Sequence, residues 1–399
     1  MTKKPINNLR RLYATLLYRV APLYQFLYKI LFINQRAEFS KHIVLFINRP
    51  QDVDLLVGLH EKALTRNDVC LCFWVSKGCA KRYPKSIGLL SARDAIVEIV
   101  SYSELFKVLK KLIRTDVFLS TVETTFSKDK LPYMITRLAN AVQVQTYTLQ
   151  HGFETAGLTY YDEIHGPEIR FAAKTVLTWG PVAELPAWVD KETRDKAVAV
   201  GYPLKVEDGG GFALSTPTDQ RPIIGIFDNL HWHRYSKSYI STFLNHLEET
   251  ARQRSEFRFI LRSHPASIRN RSKEMAARLS CMENVELAEL LGEVRLQVAT
   301  QWLLTHALGV ITTPSTLALD GAFARVPVAL TRYGLDLGYY SPLCCFDNLE
   351  DWQRFLNQLT EMTDNQRLKL NGIKFLNRVL VPGDAAHKIL NLMTGKQAN

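Results

Sequence analysis

Short apolar runs alternate with helix-length stretches twice over in this chain, once before and once after a glycine-rich break at 206–220 (VEDGGGFALSTPTDQ). Continuous apolar runs are what a parallel sheet covered on both faces requires, and parallel strands need long crossovers between them. In the first half, 43–47 (IVLFI), 69–75 (VCLCFWV), 116–120 (DVFLS), 142–150 (VQVQTYTLQ) and 175–179 (TVLTW) read as strands, with helices predicted over 52–64, 103–113 and 131–140. In the second half, strands at 223–227 (IIGIF), 257–262, 284–288, 309–313 and 326–330 alternate with helices over 237–254, 272–280, 295–307 and 315–324. Helices at 349–361 and 384–394 close the chain. The pattern predicts an α/β protein: a helical segment at 1–40, a Rossmann-like doubly wound domain at 41–205, a linker at 206–221 and a second such domain at 222–399.

With 399 residues, 47% hydrophobic and 22% charged, the chain has material for two cores and no bias towards disorder. No apolar run reaches the roughly 18 residues of a spanning helix, and Arg19 and Lys29 interrupt the N-terminal one, so neither a membrane span nor a cleavable signal is expected. The expected location is cytoplasmic. Cys70, Cys72, Cys79, Cys281, Cys344 and Cys345 form no CxxC pair and stand near no histidine at zinc-finger spacing, so they read as buried thiols.

Of the net charge of +11, +7 lies within residues 1–41, where Lys3, Lys4, Arg10, Arg11, Arg19, Lys29, Arg36 and Lys41 stand against one acid, Glu38. Ile6, Leu9, Leu12, Leu16, Val20, Leu23, Leu27 and Leu31 recur there every three or four residues, the spacing of one helical face, with a bend or break expected at Pro22. That face either packs on the first domain's core or lies on an anionic membrane surface. Nucleic acid is not an expected partner, because the folded part carries no RNA-binding signature, zinc finger or basic stripe.

The residues that can carry chemistry stand at strand ends. Ligands of open α/β sheets gather there, and the run 223–229 (IIGIFDN) ends in the carboxylate of Asp228. An Asp at a strand end is equally at home as a turn residue. Gln150, His151 and Gly152, with Glu154 just beyond, follow a strand of the first half; Arg262, Ser263, His264 and Pro265 follow one of the second; Thr313, Pro314, Ser315 and Thr316 follow another and open a helix. Ser315 and Thr316 suit an N-cap, and the amides a cap satisfies also suit a phosphate. Other motifs carry less. Asp52-Val53-Asp54 opens a helix and reads as capping rather than as a metal-binding DxD; His231 and His233 lack a third ligand; Gly209 to Gly211 has no following Lys-Ser/Thr and is no P-loop. No metal is assigned.

Together LQHG (149–152), RSHP (262–265) and TTPSTLALDGAFARVPVAL (312–330), with Asp228 between the first two, resemble bacterial glycosyltransferases that move 3-deoxy-D-manno-oct-2-ulosonic acid (Kdo) from CMP-Kdo. The resemblance is nearest to the retaining β-Kdo transferases of glycosyltransferase family 99, which act on O-antigen polysaccharides, with capsule β-Kdo transferases more distant; it spans nearly the whole folded chain. Polysialyltransferases and glycerol-phosphate polymerases carry comparable His-Pro and Ser/Thr elements.

The resemblance implies a GT-B fold, two Rossmann-like domains facing a central cleft, with a CMP-β-Kdo donor held by the second domain and neither metal nor cofactor. It implies that Asp228 attacks the anomeric carbon and that Glu154 faces it from the first domain as the proton-exchanging group. His264, Pro265, Ser315, Thr316, Arg262 and Asn229 then fall on the donor side, and Gln150, His151, Gly152 and Arg49 on the acceptor side. The implied acceptor is a lipid-linked polysaccharide or oligosaccharide at the inner membrane of a Gram-negative bacterium, and in the family this domain often sits in a longer chain. A CMP-sialic acid transferase, a CDP-glycerol phosphotransferase and a non-catalytic glycan-binding module remain as alternatives.

Overall fold

The computed structural model describes residues 13, 15–26, 41–125, 129–161, 169–204, 219–264, 267, 273–288 and 296–396. These belong to two compact units: Met1–His151, Thr155–Lys205 and Leu380–Asn399 form the first, and Gly152–Glu154 with Val206–Val379 the second.

The first unit is built on strands β1 (Lys41–Ile47), β2 (Val69–Ser76), β3 (Ile96–Val100), β4 (Val117–Ser120), β5 (Gln145–Leu149), β6 (Thr175–Thr178) and β7 (Ala197–Ala199), in sheet order β3-β2-β1-β4-β5-β6-β7 with parallel pairing throughout. Its helices are α1 (residues 15–26), α2 (Gln51–Leu64), α3 (Lys77–Arg82), α4 (Pro84–Ser91), α5 (Leu105–Leu112), α6 (Lys130–Ala141) and α7 (Lys191–Asp195). The order reverses between β1 and β4, which makes their carboxyl ends the switch point of this sheet. Asp52, buried in the first turn of α2, uses its Oδ2 to accept the amides of Asn48 and Arg49, both at 2.8 Å, and so fixes the loop that carries Arg49. Its carboxylate therefore reaches back to the loop before the helix rather than capping α2 from outside, and Pro50 at the N-cap makes no side-chain bond.

The second unit has strands β8 (Ile223–Asp228), β9 (Arg258–Ser263), β10 (Val285–Leu287), β11 (Ala307–Thr312), β12 (Val328–Thr331) and β13 (Cys344–Phe346), in order β10-β9-β8-β11-β12-β13, again all parallel. Helices α8 (Lys237–Gln253), α9 (Lys273–Ser280), α10 (Leu296–His306), α11 (Leu317–Phe323), α12 (Leu349–Thr360) and α13 (Met362–Val379) join and cover them. The switch point falls between β8 and β11. Every residue of β8 is buried, as expected of a central strand reading IIGIFD. Gly309 in β11 lets α12 close in: an added Cβ would lie 2.5 Å from Leu359 Cδ1.

Several expectations are corrected. The segment from 380 onward, assigned above to the second domain, belongs with the first unit, where helix α14 (Ala385–Thr394) receives a bond from Arg66 Nη1 to Asn391 Oδ1 at 3.2 Å and one from the Tyr147 hydroxyl to Leu392 O at 3.2 Å. Gly201, at φ +101°, permits that return, because an added Cβ would meet Val381 O at 2.9 Å. Helix α1 runs through Pro22 without a break, and it packs on the core through Leu17 and Ala21, leaving Leu16, Val20 and Leu23 exposed, so of the two alternatives for that face packing on the core does not hold for these three. Ile6, Leu9, Leu12, Leu27 and Leu31, and the linker from 205 to 218, lie outside the described residues. The expected strand at 142–150 starts only at Gln145, since Gln143 turns the chain with φ +58°.

Candidate active site

Asp228 is the last residue of β8, at the switch point of the second sheet, and its side chain is anchored on two sides. Register pairs Asp228 with Ser263, whose hydroxyl donates to Asp228 Oδ2; the amide of Leu230 donates to Oδ1 at 3.3 Å. The second bond is an Asx-type turn, so the turn reading of Asp228 has its geometric counterpart. The His264 amide donates to Asp228 O at 2.8 Å, carrying the pairing of β8 and β9 one residue further. Asn229 braces the switch point: its amide donates to Thr313 Oγ1 at 3.0 Å, its Nδ2 to Pro314 O at 3.0 Å, and its Oδ1 accepts from Thr313 Oγ1 at 2.6 Å and the Tyr235 hydroxyl at 2.8 Å. Both ends of that amide are thus committed to joining the ends of β8 and β11.

Beyond β9 the His264 imidazole stacks on His231, with ring centroids 4.1 Å apart and planes 18° from parallel. Ser267 steadies the pair, accepting from the His231 amide at 3.2 Å and lying 3.3 Å from His231 Nδ1. His231, set aside above as a metal ligand, is thereby a direct neighbour of a predicted donor-side residue. Among the described residues no group of three His, Cys, Asp or Glu side chains could hold a metal ion. Burial pulls the Arg262 guanidinium below its ordinary range, and the charges of Asp228 and Asp320 partly offset this. Pro265 lies outside the described residues.

Glu154 belongs with this same unit rather than facing it from the other, as the resemblance had implied. Residues 152–154 are drawn there by Phe153, which is buried, stacks on Tyr339 at 4.7 Å and meets Tyr340 and Phe375 edge-on at 5.0 and 5.3 Å. The Phe153 amide donates to Thr316 Oγ1 at 2.9 Å, and an added Cβ on Gly152 would lie 3.4 Å from that oxygen. Glu154 is then met by Arg234, whose Nη1 donates to both carboxylate oxygens, at 2.8 and 2.7 Å. Burial alone would lower Arg234; Glu154 and the nearby Tyr235 and Tyr340 outweigh it and hold the guanidinium above its ordinary range. Of the Ser315–Thr316 pair, Ser315 does the capping: Thr316 already has helical angles and makes no cap bond, while Ser315 Oγ accepts the Leu317 amide at 3.3 Å at the start of the seven-residue α11.

The acceptor-side candidates lie in the first unit. Arg49, at its switch point, donates from Nη1 to His151 Nε2 at 2.7 Å and pairs through Nη2 with the buried Asp129 at 2.5 Å, which also accepts from Thr124. A guanidinium has no acceptor, so His151 Nε2 carries the lone pair and a proton on the neutral ring sits on Nδ1, 3.5 Å from Thr155 Oγ1. Burial and the Arg49 charge hold the His151 pKa well below its ordinary value. Gln150 is a brace, its Oε1 accepting the Trp179 amide at 2.9 Å. Asp228, Asn229, Arg262, His264, Ser315, Thr316, Gly152 and Glu154 therefore share one unit, and Arg49, Gln150 and His151 the other. Sequence reasoning missed Arg234 and Asp129, and named Ser263 only as part of its motif, without its bond to Asp228.

No protein-family model matches the chain, and no curated protein matches it by sequence. Solved structures do. UDP-GlcNAc 2-epimerase from Neisseria meningitidis bound to UDP-GlcNAc is 14% identical with a TM-score of 0.62, covering 90% of this chain and 100% of its own. The wall teichoic acid polymerase TagF is 13% identical with a TM-score of 0.54, covering 99% and 98%. A glycosyltransferase from Rickettsia africae is 10% identical with a TM-score of 0.58, covering 89% and 98%. The chain has the GT-B fold, two parallel-sheet α/β units of seven and six strands.

Proposed function

We propose that this protein is a retaining glycosyltransferase that moves β-Kdo from CMP-β-Kdo to a lipid-linked bacterial surface glycan of the O-antigen or capsule type. The observation that carries the reading is the anchored carboxylate of Asp228 at the second sheet's switch point, in the same unit as the Arg234-bound carboxylate of Glu154. The resemblance of the sequence motifs supports the sugar and the nucleotide, and the GT-B fold is compatible with a glycosyltransferase. Structures sharing that fold were solved with UDP-GlcNAc and, for the teichoic acid polymerase, with CDPG, which supports a nucleotide-linked donor.

In this reading Asp228 attacks the anomeric carbon, the carbon–oxygen bond to phosphate breaks, and CMP leaves with the bonding pair. His264 and Ser315 stabilise the phosphate with hydrogen bonds, so leaving needs no strong acid. The acceptor hydroxyl then attacks the same carbon, its proton passes to Glu154, and the Asp228 carboxylate is released. Two inversions return the β configuration, as in retaining glycosidases. Ser263 keeps one oxygen of Asp228 bonded and so holds the other edge in a fixed direction.

The test is a donor screen on the intact protein with a synthetic acceptor series, offering CMP-Kdo, CMP-sialic acid and CDP-glycerol. Kdo transfer with CMP release and a β-configured product supports the reading. Transfer of a glycerol phosphodiester would replace it with a phosphotransferase, and glycan binding without turnover of any donor would make the protein a binding module.

A further inference from the structure

Helix α1 is held to the first unit by one face and shows an apolar face on the other side. Leu17 and Ala21 are buried among Leu105, Leu109, Leu112, Met134 and Ile135. The Tyr18 hydroxyl donates to Met134 O at 3.2 Å and Gln25 Nε2 to Val142 O at 2.6 Å, which fixes the helix in rotation about its axis. The opposite side carries Leu16, Val20, Leu23 and Phe26, with exposures of 58%, 39%, 61% and 60%. Positions 16, 20 and 23 are one helical stripe, and at 100° per residue the exposed Arg19 borders it, between Leu23 and Phe26. The helix contains no acid between 13 and 26.

The stripe continues onto α5. The Phe106 ring, itself 41% exposed, lies 6.0 Å from Tyr24, and Lys110 Nζ sits 4.8 Å from the Phe106 centroid. Lys107 and Lys111 on the same helix are neutralised by Glu104 at 3.6 Å and Glu98 at 2.5 Å, and Arg137 covers the Tyr18 ring at 4.6 Å. A contiguous apolar patch with a cationic rim therefore stands on the first unit. No helix among the described residues is long and apolar enough to cross a membrane.

We propose that this face of α1 and α5 docks on an anionic lipid surface, with α1 lying in the plane of the headgroups. An in-plane helix needs an apolar face, cations beside it and no acid of its own, which is the composition of α1. A second copy fits the face less well: a two-fold contact would bring Arg19 and Lys110 of both copies into one interface, and like charges there oppose it. The leader outside the described residues adds Lys3, Lys4, Arg10 and Arg11 to the same charge sign.

The experiment is sedimentation of the intact protein with vesicles containing phosphatidylglycerol, against phosphatidylcholine alone, at low and high salt. Leu16→Ser with Leu23→Ser should lower partition about a hundredfold. Arg19→Ala with Lys110→Ala should lower it about thirtyfold at low salt and much less at high salt. All four positions are exposed, so thermal unfolding should not move, and a variant that does unfold early is replaced by the Leu16→Ser single variant. Partition that neither pair of changes lowers, or that is equal on neutral vesicles, overturns the proposal. So does a dimer in sedimentation equilibrium that Leu16→Ser with Leu23→Ser dissociates, because the face would then join two copies.

Discussion

Arg234 Nη1 donates to both oxygens of Glu154, and the two side chains are only 10% and 11% exposed. Removing one partner of so enclosed a pair strands the other charge, which costs more than the pair contributes. Arg234→Gln and Glu154→Gln should each destabilise the protein by about 3–5 kcal/mol, and the double variant by clearly less than their sum. Urea midpoints of the three variants check this. Additive losses would mean that the two groups separate in solution. In the proposed reaction Arg234 positions Glu154 without touching the sugar, so Arg234→Lys, which keeps a charge there, should retain more transfer than Arg234→Gln.

The Arg234 contact also marks a limit of sequence reading. The place of Asp228 was legible because an apolar run that stops in a carboxylate is a buried strand reaching its end. Arg234 sits in an irregular stretch six residues on, and its partner Glu154 is 80 residues away; no local pattern joins them. Glu154 was singled out, but the unit it packs in was not legible, because the aromatic nest around Phe153 is assembled from Tyr339, Tyr340 and Phe375 far along the chain. Helix α1 shows a different limit. Spacing identifies residues that share a face, but which face the fold covers depends on the partner, and here the small Ala21 lets the helix approach while Leu16 and Leu23 stay exposed. The edge strands β3 and β13 were missed for the opposite reason: with one neighbour each and partial exposure, they lack the apolar density of β8. Helix α13 was missed although it is 18 residues long, since its buried side is sparse and includes Gly372, whose added Cβ would meet Ala322 at 3.4 Å.

Nucleotide affinity should depend on the end of β9 and the loop before α11. His264→Ala and Ser315→Ala should each weaken CMP binding by about 1–3 kcal/mol, the usual loss for a charge-assisted hydrogen bond in a partly desolvated site. His231→Ala removes the ring on which His264 stacks and should weaken CMP by a smaller amount, through position rather than contact. Calorimetry on the three variants measures this directly. Unchanged affinity in both His264→Ala and Ser315→Ala would remove those residues from the donor side.

The Arg49–His151 contact makes a stability prediction that needs no substrate. The folded protein holds the His151 pKa well below 6.5, so below that pH the unfolded chain takes up a proton that the folded one refuses. Stability is therefore lost as pH falls under 6.5, by at most about 1.4 kcal/mol per pH unit, and this residue contributes no slope above it. In His151→Gln the carbonyl can still accept from Arg49 but does not titrate, so the variant should lose less stability between about pH 7 and about pH 5.5. Equal losses in the two proteins, by urea midpoint at both pH values, would mean that His151 charges without opposition in the folded state.

Asp228 carries the chemistry of the proposal and can be tested for it alone. Its carboxylate accepts from Ser263 and from the Leu230 amide, so Asp228→Ala leaves two donors without this acceptor and should cost about 1–3 kcal/mol of stability. Asp228→Asn retains a carbonyl oxygen in nearly the same shape and should fold as well as the parent. Both should bind CMP normally and transfer no sugar. In Glu154→Ala, or with acceptor withheld, attack on the glycosyl-enzyme is slowed while its formation is not, so incubation with CMP-Kdo should leave one Kdo on the peptide that contains Asp228. Intact-mass and peptide spectra read this out. Turnover by Asp228→Asn at near the parent rate, or a product of inverted configuration, would remove the double displacement and leave Asp228 as the turn residue that its bond from Leu230 also allows.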